Sequence, residues 1–232
     1  MRGLTAEEIL RLAELADPLP PVDRAVLLAG ASGVADVDRL PLGRRDAVLL
    51  RLRAATVGDA LTGWAPCPHC AVQAEFITTC TALLAAEADT VDPEPILVDG
   101  HLVHWRLPNS RDAAAIAGCL DPDEAADLLL RRCLVGEPGV DGAAARGAVS
   151  AQMAKADPLA ELVIAMACPE CGTRWESPLD VADFFLAELR ARAEHLLTDV
   201  DTLARAYGWR EPDILALSDA RRSAYLARVR HG

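Results

Sequence analysis

The 232-residue chain is 52% hydrophobic but only 4% aromatic, and 23 Lys plus Arg against 35 Asp plus Glu leave a formal net charge of −12. That is enough apolar material for one core or two small ones. The acidity repels phosphate backbones and anionic lipid at long range, and the few aromatics leave little for nucleobases to stack on, so nucleic acid and membrane surface are disfavoured as partners. No apolar run approaches the roughly 20 residues needed to cross a bilayer. The opening MRGLTAEEILRLAELADP lacks the blocks of a signal peptide, so the expected location is cytoplasmic. Lys155 is the only lysine, so no cluster offers a Schiff-base or Walker-type lysine.

From Thr5 to about Ala16, Ile9, Leu10, Leu12, Ala13 and Leu15 follow helical spacing, and Thr5 with Glu8 forms a capping-box pattern. A Pro-rich turn, DPLPPVD, leads to a second helical run, DRAVLLAGA, and a third, PLGRRDAVLLRLRAATVG. In the third, Leu49, Leu50 and Leu52 alternate with Arg44, Arg45, Arg51 and Arg53, whose side is expected to be a solvated face. After CPHC the segment QAEFITTC carries β-type residues, and the Asp-Gly of ILVDGHLVHWRLP favours a two-residue hairpin turn. Asn109 or Ser110 caps a helix through RDAAAIAGCL. DPDEAADLLLRRCLVG reads as another, acidic in its first turn and basic in its last. GEPGVDGAAARGA is expected to be a flexible loop, with a helix possible over Ala143 to Met153. ELVIAMACPECGTRWESPLD then repeats the earlier order of apolar run, Cys-Pro-x-Cys turn and strand. Asp180 opens a long amphipathic helix ended by Gly208, and EPDILALSDARRSAYLARVR closes the chain with Ser218 capping its second helix.

Seven cysteines are an odd number in a chain without an export signal, which speaks against a disulfide framework. Cys80, Cys119 and Cys133 stand alone among apolar neighbours and read as small buried hydrophobes. The other four lie in two pairs, Cys67 and Cys70 in CPHC and Cys168 and Cys171 in CPEC. Two thiolates three positions apart on a tight turn can point at one cation, and four complete a closed tetrahedral zinc site. Glu75 and Phe76 follow the first pair as Trp175 and Glu176 follow the second, so the two look like related knuckles. The 97 residues from Ala71 to Ala167 exceed the about 15–20 of a compact zinc ribbon, so a Zn²⁺ ion here would staple distant parts of the chain. Structural zinc contributes on the order of 10–16 kcal/mol in small peptides. A thioredoxin-like redox pair is the rival reading, opposed by the two copies and by the lack of an α/β alternation around either.

His69 lies inside the first knuckle, and with four thiolates available it is expected to be exposed. His101 and His104 lie three apart on a strand and so on opposite faces. His195 falls on the long helix and reads as a surface residue. There is no nucleophile with a base beside it, no Gly-rich phosphate loop and no HExxH pair, and four thiolates leave zinc no open position, so no enzyme activity and no small-molecule substrate are expected. Near the C-terminus, Tyr207, Trp209 and Tyr225 make the last segment rich in aromatics. With Ile214, Leu215, Arg221 and Arg222 they suit either a packed helical hairpin or a docking element for a partner. The Arg-rich helices at Arg44 to Arg53 and Arg221 to Arg230 raise a zinc-dependent nucleic-acid adaptor as a further alternative, against the charge balance.

In chain order, LPLGRRDAVLLRLR, CPHC with the following AEF, LLLRRC at Leu128 to Cys133, ACPECGTRWESPLD at Ala167 to Asp180, and ARAYGWREPDILALSDARRSAYL resemble the T-even-type phage baseplate proteins of contractile tails and phage-tail-like injection systems. The resemblance runs over nearly the whole chain. It implies a non-enzymatic part in building or completing a baseplate, as resident subunit or departing assembly factor, partnered by other proteins of the particle. It also implies metal ligation by Cys67, Cys70, Cys168 and Cys171. His69 and Ala71 depart from the pattern, in which a Cys-Gly-like turn is usual; without glycine after Cys70 the turn is expected to be strained or the site looser.

The expected fold is α+β, mostly helical, with a small β region around a zinc-ribbon-like site of four cysteines. The expected segments are an N-terminal helical region (1–66), a first knuckle and hairpin (67–108), a helical insertion (109–160), and a second knuckle, long helix and C-terminal helices (161–232), within one compact domain.

Overall fold

Thr5 begins the first helix, α1 (Ala6–Ala16), with both halves of a capping box: its hydroxyl accepts from Glu8 N, and the Glu8 carboxylate accepts from Thr5 N. Two further helices follow in this computed structural model, which describes residues 1–98, 100–135 and 142–231. They are α2 (Pro21–Gly30), entered on a proline whose missing N–H costs nothing in the first turn, and α3 (Leu42–Thr56). All three pack on α8 (Val181–Tyr207), whose Asp180 cap and left-handed Gly208 stop stand where the sequence places them. Ile9, Leu28, Leu49, Leu52, Phe185 and Leu189 lie at the centre of this main core. The first and last thirds of the chain therefore share one interior.

The middle of the chain builds a second, smaller core. β3 (Ile96–Val98), β4 (His101–Trp105) and β5 (Leu134–Val135) form an antiparallel sheet in that order, with Gly100 at φ +82° in the expected turn. Asp99 of that turn lies outside the described residues. Val98, Val103, Trp105 and Leu130 pack there with Val149, joining α6 (Pro122–Cys133) and α7 (Gly142–Ala156) to the sheet. α5 (Ser110–Ile116) is capped by Asn109, and the buried Asp112 carboxylate is held by Arg106 and Arg132 at 2.6 and 2.9 Å. The two cores meet where α7 ends. α3 has no side-chain cap of its own, and the buried Asp157 reaches across to accept from Gly43 N at 2.9 Å. A β-carbon on Gly43 would fall 1.9 Å from Asp157 Oδ1, so the close approach needs glycine there.

The β region holds two more hairpins. β1 (Ala60–Pro66) pairs with β2 (Gln73–Thr79), from Ala60 opposite Thr79 to Pro66 opposite Gln73. Then β6 (Val163–Ala167) pairs with β7 (Arg174–Pro178), from Val163 opposite Pro178 to Ala167 opposite Arg174. β2 leads into α4 (Cys80–Leu84), and the C-terminal pair α9 (Glu211–Leu215) and α10 (Asp219–His231) folds back on the end of α8. The fold is thus α+β. No helix among the described residues is long and apolar enough to cross a membrane.

Two expectations are corrected and one is met in part. The N-terminal region is not helical to residue 66, because β1 begins at Ala60; its alternating burial is visible, but the strand is centred on Gly63 and ends in Ala65 and Pro66, poor strand formers. The helix read over Ala143 to Met153 is present as part of α7, and residues 136–141 of the expected loop lie outside the described residues. Arg53 does not belong to a solvated face. It is 2% exposed, pairs with Glu188 of α8 at 2.6 and 2.8 Å, and donates to Gly58 O and Ala60 O at 2.7 Å, with the Phe184 ring 5.7 Å away. One guanidinium thereby ties α3, α8 and the start of β1.

Arg53→Met strands the Glu188 carboxylate and two carbonyls and is expected to cost about 3 kcal/mol. Glu188→Gln, which keeps a hydrogen-bonding partner, is expected to cost about 1 kcal/mol. Urea denaturation of the three proteins measures both.

Candidate metal centre

Each Cys-Pro-x-Cys turn closes one hairpin by the same backbone pattern. Cys67 N donates to Val72 O and Ala71 N to Cys67 O, both at 2.9 Å; Cys168 N donates to Thr173 O at 2.9 Å and Gly172 N to Cys168 O at 3.1 Å. The strand registers agree as well, at a constant offset of 101 residues. The hairpins are therefore one structural unit used twice. They pack through β2 and β6, over a small core of Ala65, Ala74 and Met166 edged by Phe76, Ile164 and Trp175.

This packing brings the four predicted cysteines together. Cys67 Sγ lies 3.6 Å from Cys171 Sγ and Cys70 Sγ 3.5 Å from Cys168 Sγ, and all four sulfurs fall within 4.8 Å of one another. A disulfide would need about 2.05 Å. Four sulfurs each about 2.3 Å from one central ion stand about 3.8 Å apart at the corners of a tetrahedron. The cluster has the size and the donor set of a metal site, and four close cysteines able to hold an ion are what the structure provides. Cys67 and Cys168 are buried, while Cys70 and Cys171 are exposed. The turns thus close the site from within and leave its outer edge to solvent.

Four thiols so close cannot all ionise alone. The Thr173 hydroxyl and backbone N–H, followed by Cys168 and Cys67, hold the Cys171 thiol down to about 6. The Val72 N–H favours the Cys70 thiolate, but contacts from Cys168, Cys171 and Cys67 outweigh it and push that thiol up to about 12. These values describe a cluster sharing protons. A divalent cation would relieve the mutual repulsion and displace the remaining protons. Thr173 Oγ1, 3.2 Å from Cys171 Sγ, is a participant that the sequence reading missed. Its position two residues after a ligand was the available signal.

The expected strain at Ala71 is present. Ala71 has φ +62° where Gly172, its counterpart, has +73°, both in the left-handed region that disfavours a β-carbon. Ala71→Gly is expected to stabilise the protein by about 0.5–1 kcal/mol, and Gly172→Ala, which meets nothing within 4 Å, to destabilise it by a similar amount. Chemical denaturation of both variants with the metal site in one defined state tests this.

His69 is exposed and outside the sulfur cluster; His101, His104 and His195 are exposed as well. Cys80 and Cys133 are buried as expected, and burial, against the pull of nearby arginines, pushes Cys133 up to about 11. Cys119 is only half-buried, since α5 ends before it and leaves it in a connecting turn, which corrects the expectation of a buried hydrophobe.

The C-terminal residues divide. Tyr207 and Trp209 stack with centroids 4.8 Å apart, and Tyr225 stands edge-on to Trp209 at 4.8 Å. Tyr207 and Arg221 are exposed, whereas Leu215 is half-buried against the main core. Ile214 is fully enclosed with Leu203 and Leu226. Arg222 is 5% exposed, pairing with Asp219 at 2.6 Å and Asp199 at 3.3 Å. Ile214 and Arg222 are therefore not partner-binding residues, because their side chains hold the terminal helices to α8. No family model, curated protein or solved structure matched the chain.

Proposed function

We propose that this protein is a non-enzymatic structural or assembly component of a contractile, phage-tail-like baseplate, stapled by one structural zinc ion and acting through contacts with other proteins of the particle. The observation that carries the scaffold half is the cluster of Cys67, Cys70, Cys168 and Cys171, four sulfurs within 4.8 Å delivered by two like hairpins. A tetrahedral thiolate set suits Zn²⁺, and four such ligands leave no position at which a substrate or water could be activated. The ion would act here by fixing geometry. It would tie the segment after α3 to the segment before α8, and so hold the two hairpins as one unit.

The baseplate half rests on the sequence resemblance of the knuckles, the LLLRRC stretch and the YGWREPDILALSDARRSAYL terminus. The structure supports the use of that terminus as a contact element by exposing Tyr207 and Arg221 beside the Trp209–Tyr225 pair.

Purified protein is expected to carry about one zinc per chain by elemental analysis. Chelation or Cys168→Ser should lower the melting temperature on the order of 10 °C. Less than about half an equivalent, with all four thiols titrating freely, would overturn the scaffold reading. In the native host, deletion of the gene is expected to leave tail-like particles absent or lacking baseplates under the electron microscope. Normal particles in the deletion strain would overturn the baseplate reading.

A further inference from the structure

The outer face of α10 is out of keeping with the rest of the molecule. In a chain of net charge −12 this helix carries Arg221, Arg222, Arg228 and Arg230 against a single carboxylate, Asp219. Arg222 is buried and neutralised by Asp199 and Asp219. Among the described residues fifteen arginines have a carboxylate partner; Arg221, Arg228 and Arg230 have none, and unlike the other unpaired arginines, Arg11, Arg39, Arg131 and Arg174, they share one helix. An acidic protein with a surplus of carboxylates has left the outer face of its terminal helix unpaired.

Position adds form to this charge. Arg221, Ala224 and Arg228 are all exposed and follow one another at i, i+3 and i+7, so the two arginines lie on one stripe, about 10 Å apart along the axis. Arg228 is not free to wander: its guanidinium lies 5.7 Å from the Tyr225 ring centroid and donates to Ala224 O at 3.2 Å. Tyr225 in turn abuts Trp209, on which Tyr207 is stacked. A pre-ordered cation therefore borders a rigid aromatic ledge. Such a pairing offers carboxylates a two-pronged grip and gives neighbouring apolar groups a surface that loses little entropy on contact.

We propose that this face docks an acidic segment of a partner protein, presenting two carboxylates about 10 Å apart beside an apolar residue that meets the ledge. Carboxylates two helical turns apart on one face of a helix meet that spacing. The proposal deepens the reading of the protein as an assembly component by naming the chemistry of its partner. Nucleic acid is the less favoured occupant, because the −12 chain repels a long polyanion while a short acidic segment needs only the local patch. A second copy is disfavoured by like-charge repulsion between bodies.

Full-length protein is titrated by fluorescence anisotropy into three labelled probes: a helical peptide with glutamates seven residues apart flanking leucine, the same peptide with glutamines, and a 15-nucleotide oligothymidylate. The glutamate peptide is expected to bind at least about tenfold more tightly than the glutamine peptide and the oligonucleotide. The double substitution Arg221→Glu and Arg228→Glu should abolish that preference with the melting temperature unchanged, both side chains being exposed. Equal binding of the two peptides, tighter binding of the oligonucleotide, or indifference to the double substitution would overturn the proposal. So would sedimentation showing a dimer of the unmodified chain that the double variant lacks. Failure here with particles lost on gene deletion removes the partner chemistry alone, whereas selective peptide binding with normal particles removes the baseplate role alone.

Discussion

Four sulfur atoms drawn into one cluster are the constraint on which the β region depends. Neither hairpin has a core of its own: each is two strands with a tight turn, and such a unit is marginal in water. Together they enclose only Ala65, Ala74 and Met166, with three half-buried neighbours. So small an interior does not by itself specify how two hairpins sit against each other. A metal held by the sulfur cluster would, because tetrahedral ligation fixes distance and direction at once, and because one cysteine of each pair is buried while the other faces out. The repetition of backbone hydrogen bonds at a 101-residue offset follows from the same demand: two turns that must each aim two thiolates at one point arrive at one solution.

The helical body carries much of the cost of bringing those turns together. A loop of 97 residues would be entropically expensive to close if it were free chain, although the cost grows only slowly with length. Here the chain on either side of the cluster is already placed. β1 follows α3, β7 precedes α8, and α3 and α8 share the main core, joined by Arg53 and Glu188. The described residues between them are placed by their own core and by Asp157 at the head of α3. Packing of helices and gathering of sulfurs thus reinforce each other, which is the local and global agreement expected of a well-specified fold.

Elements announced by chemistry at fixed offsets were legible in the sequence. Thr5 with Glu8, Asn109 and Asp180 mark helix starts through side-chain acceptors, Gly208 marks a helix end through its left-handed backbone, and each stands where it was read. The cysteine pairs were legible for the same reason, as was the strained Ala71. What escaped depends on partners far along the chain. Arg53 differs in nothing local from Arg44 or Arg51; Glu188, 135 residues away, together with the carbonyls of Gly58 and Ala60, makes it an interior residue. Ile214 and Arg222 follow a helical period compatible with either face, and the choice was made by Leu203 and Asp199 on α8. β1, built on Ala60, Gly63, Ala65 and Pro66, has too few strand-forming residues to announce itself without β2.

α8 gives these parts a mechanical relation. Its 27 residues make a rod about 40 Å long, beginning one residue after Asp180, and the preceding Leu179 follows β7 and donates to Leu162 O just before β6. Residues up to Leu196 belong to the main core, while Val200, Leu203 and Ala204 belong to the terminal cluster with Ile214 and Leu226. One uninterrupted helix therefore runs from the sulfur-bound hairpins to the basic, aromatic-edged face of α10, with no hinge between them. A displacement at either end must be carried along the rod or absorbed by repacking the core that grips its first half. Because packed interiors resist such repacking, the separation and orientation of the two ends are set by the fold. A partner engaging α10 would thus be held in fixed register with the hairpin end of the molecule, which is the property a scaffold needs and a tethered binding motif lacks.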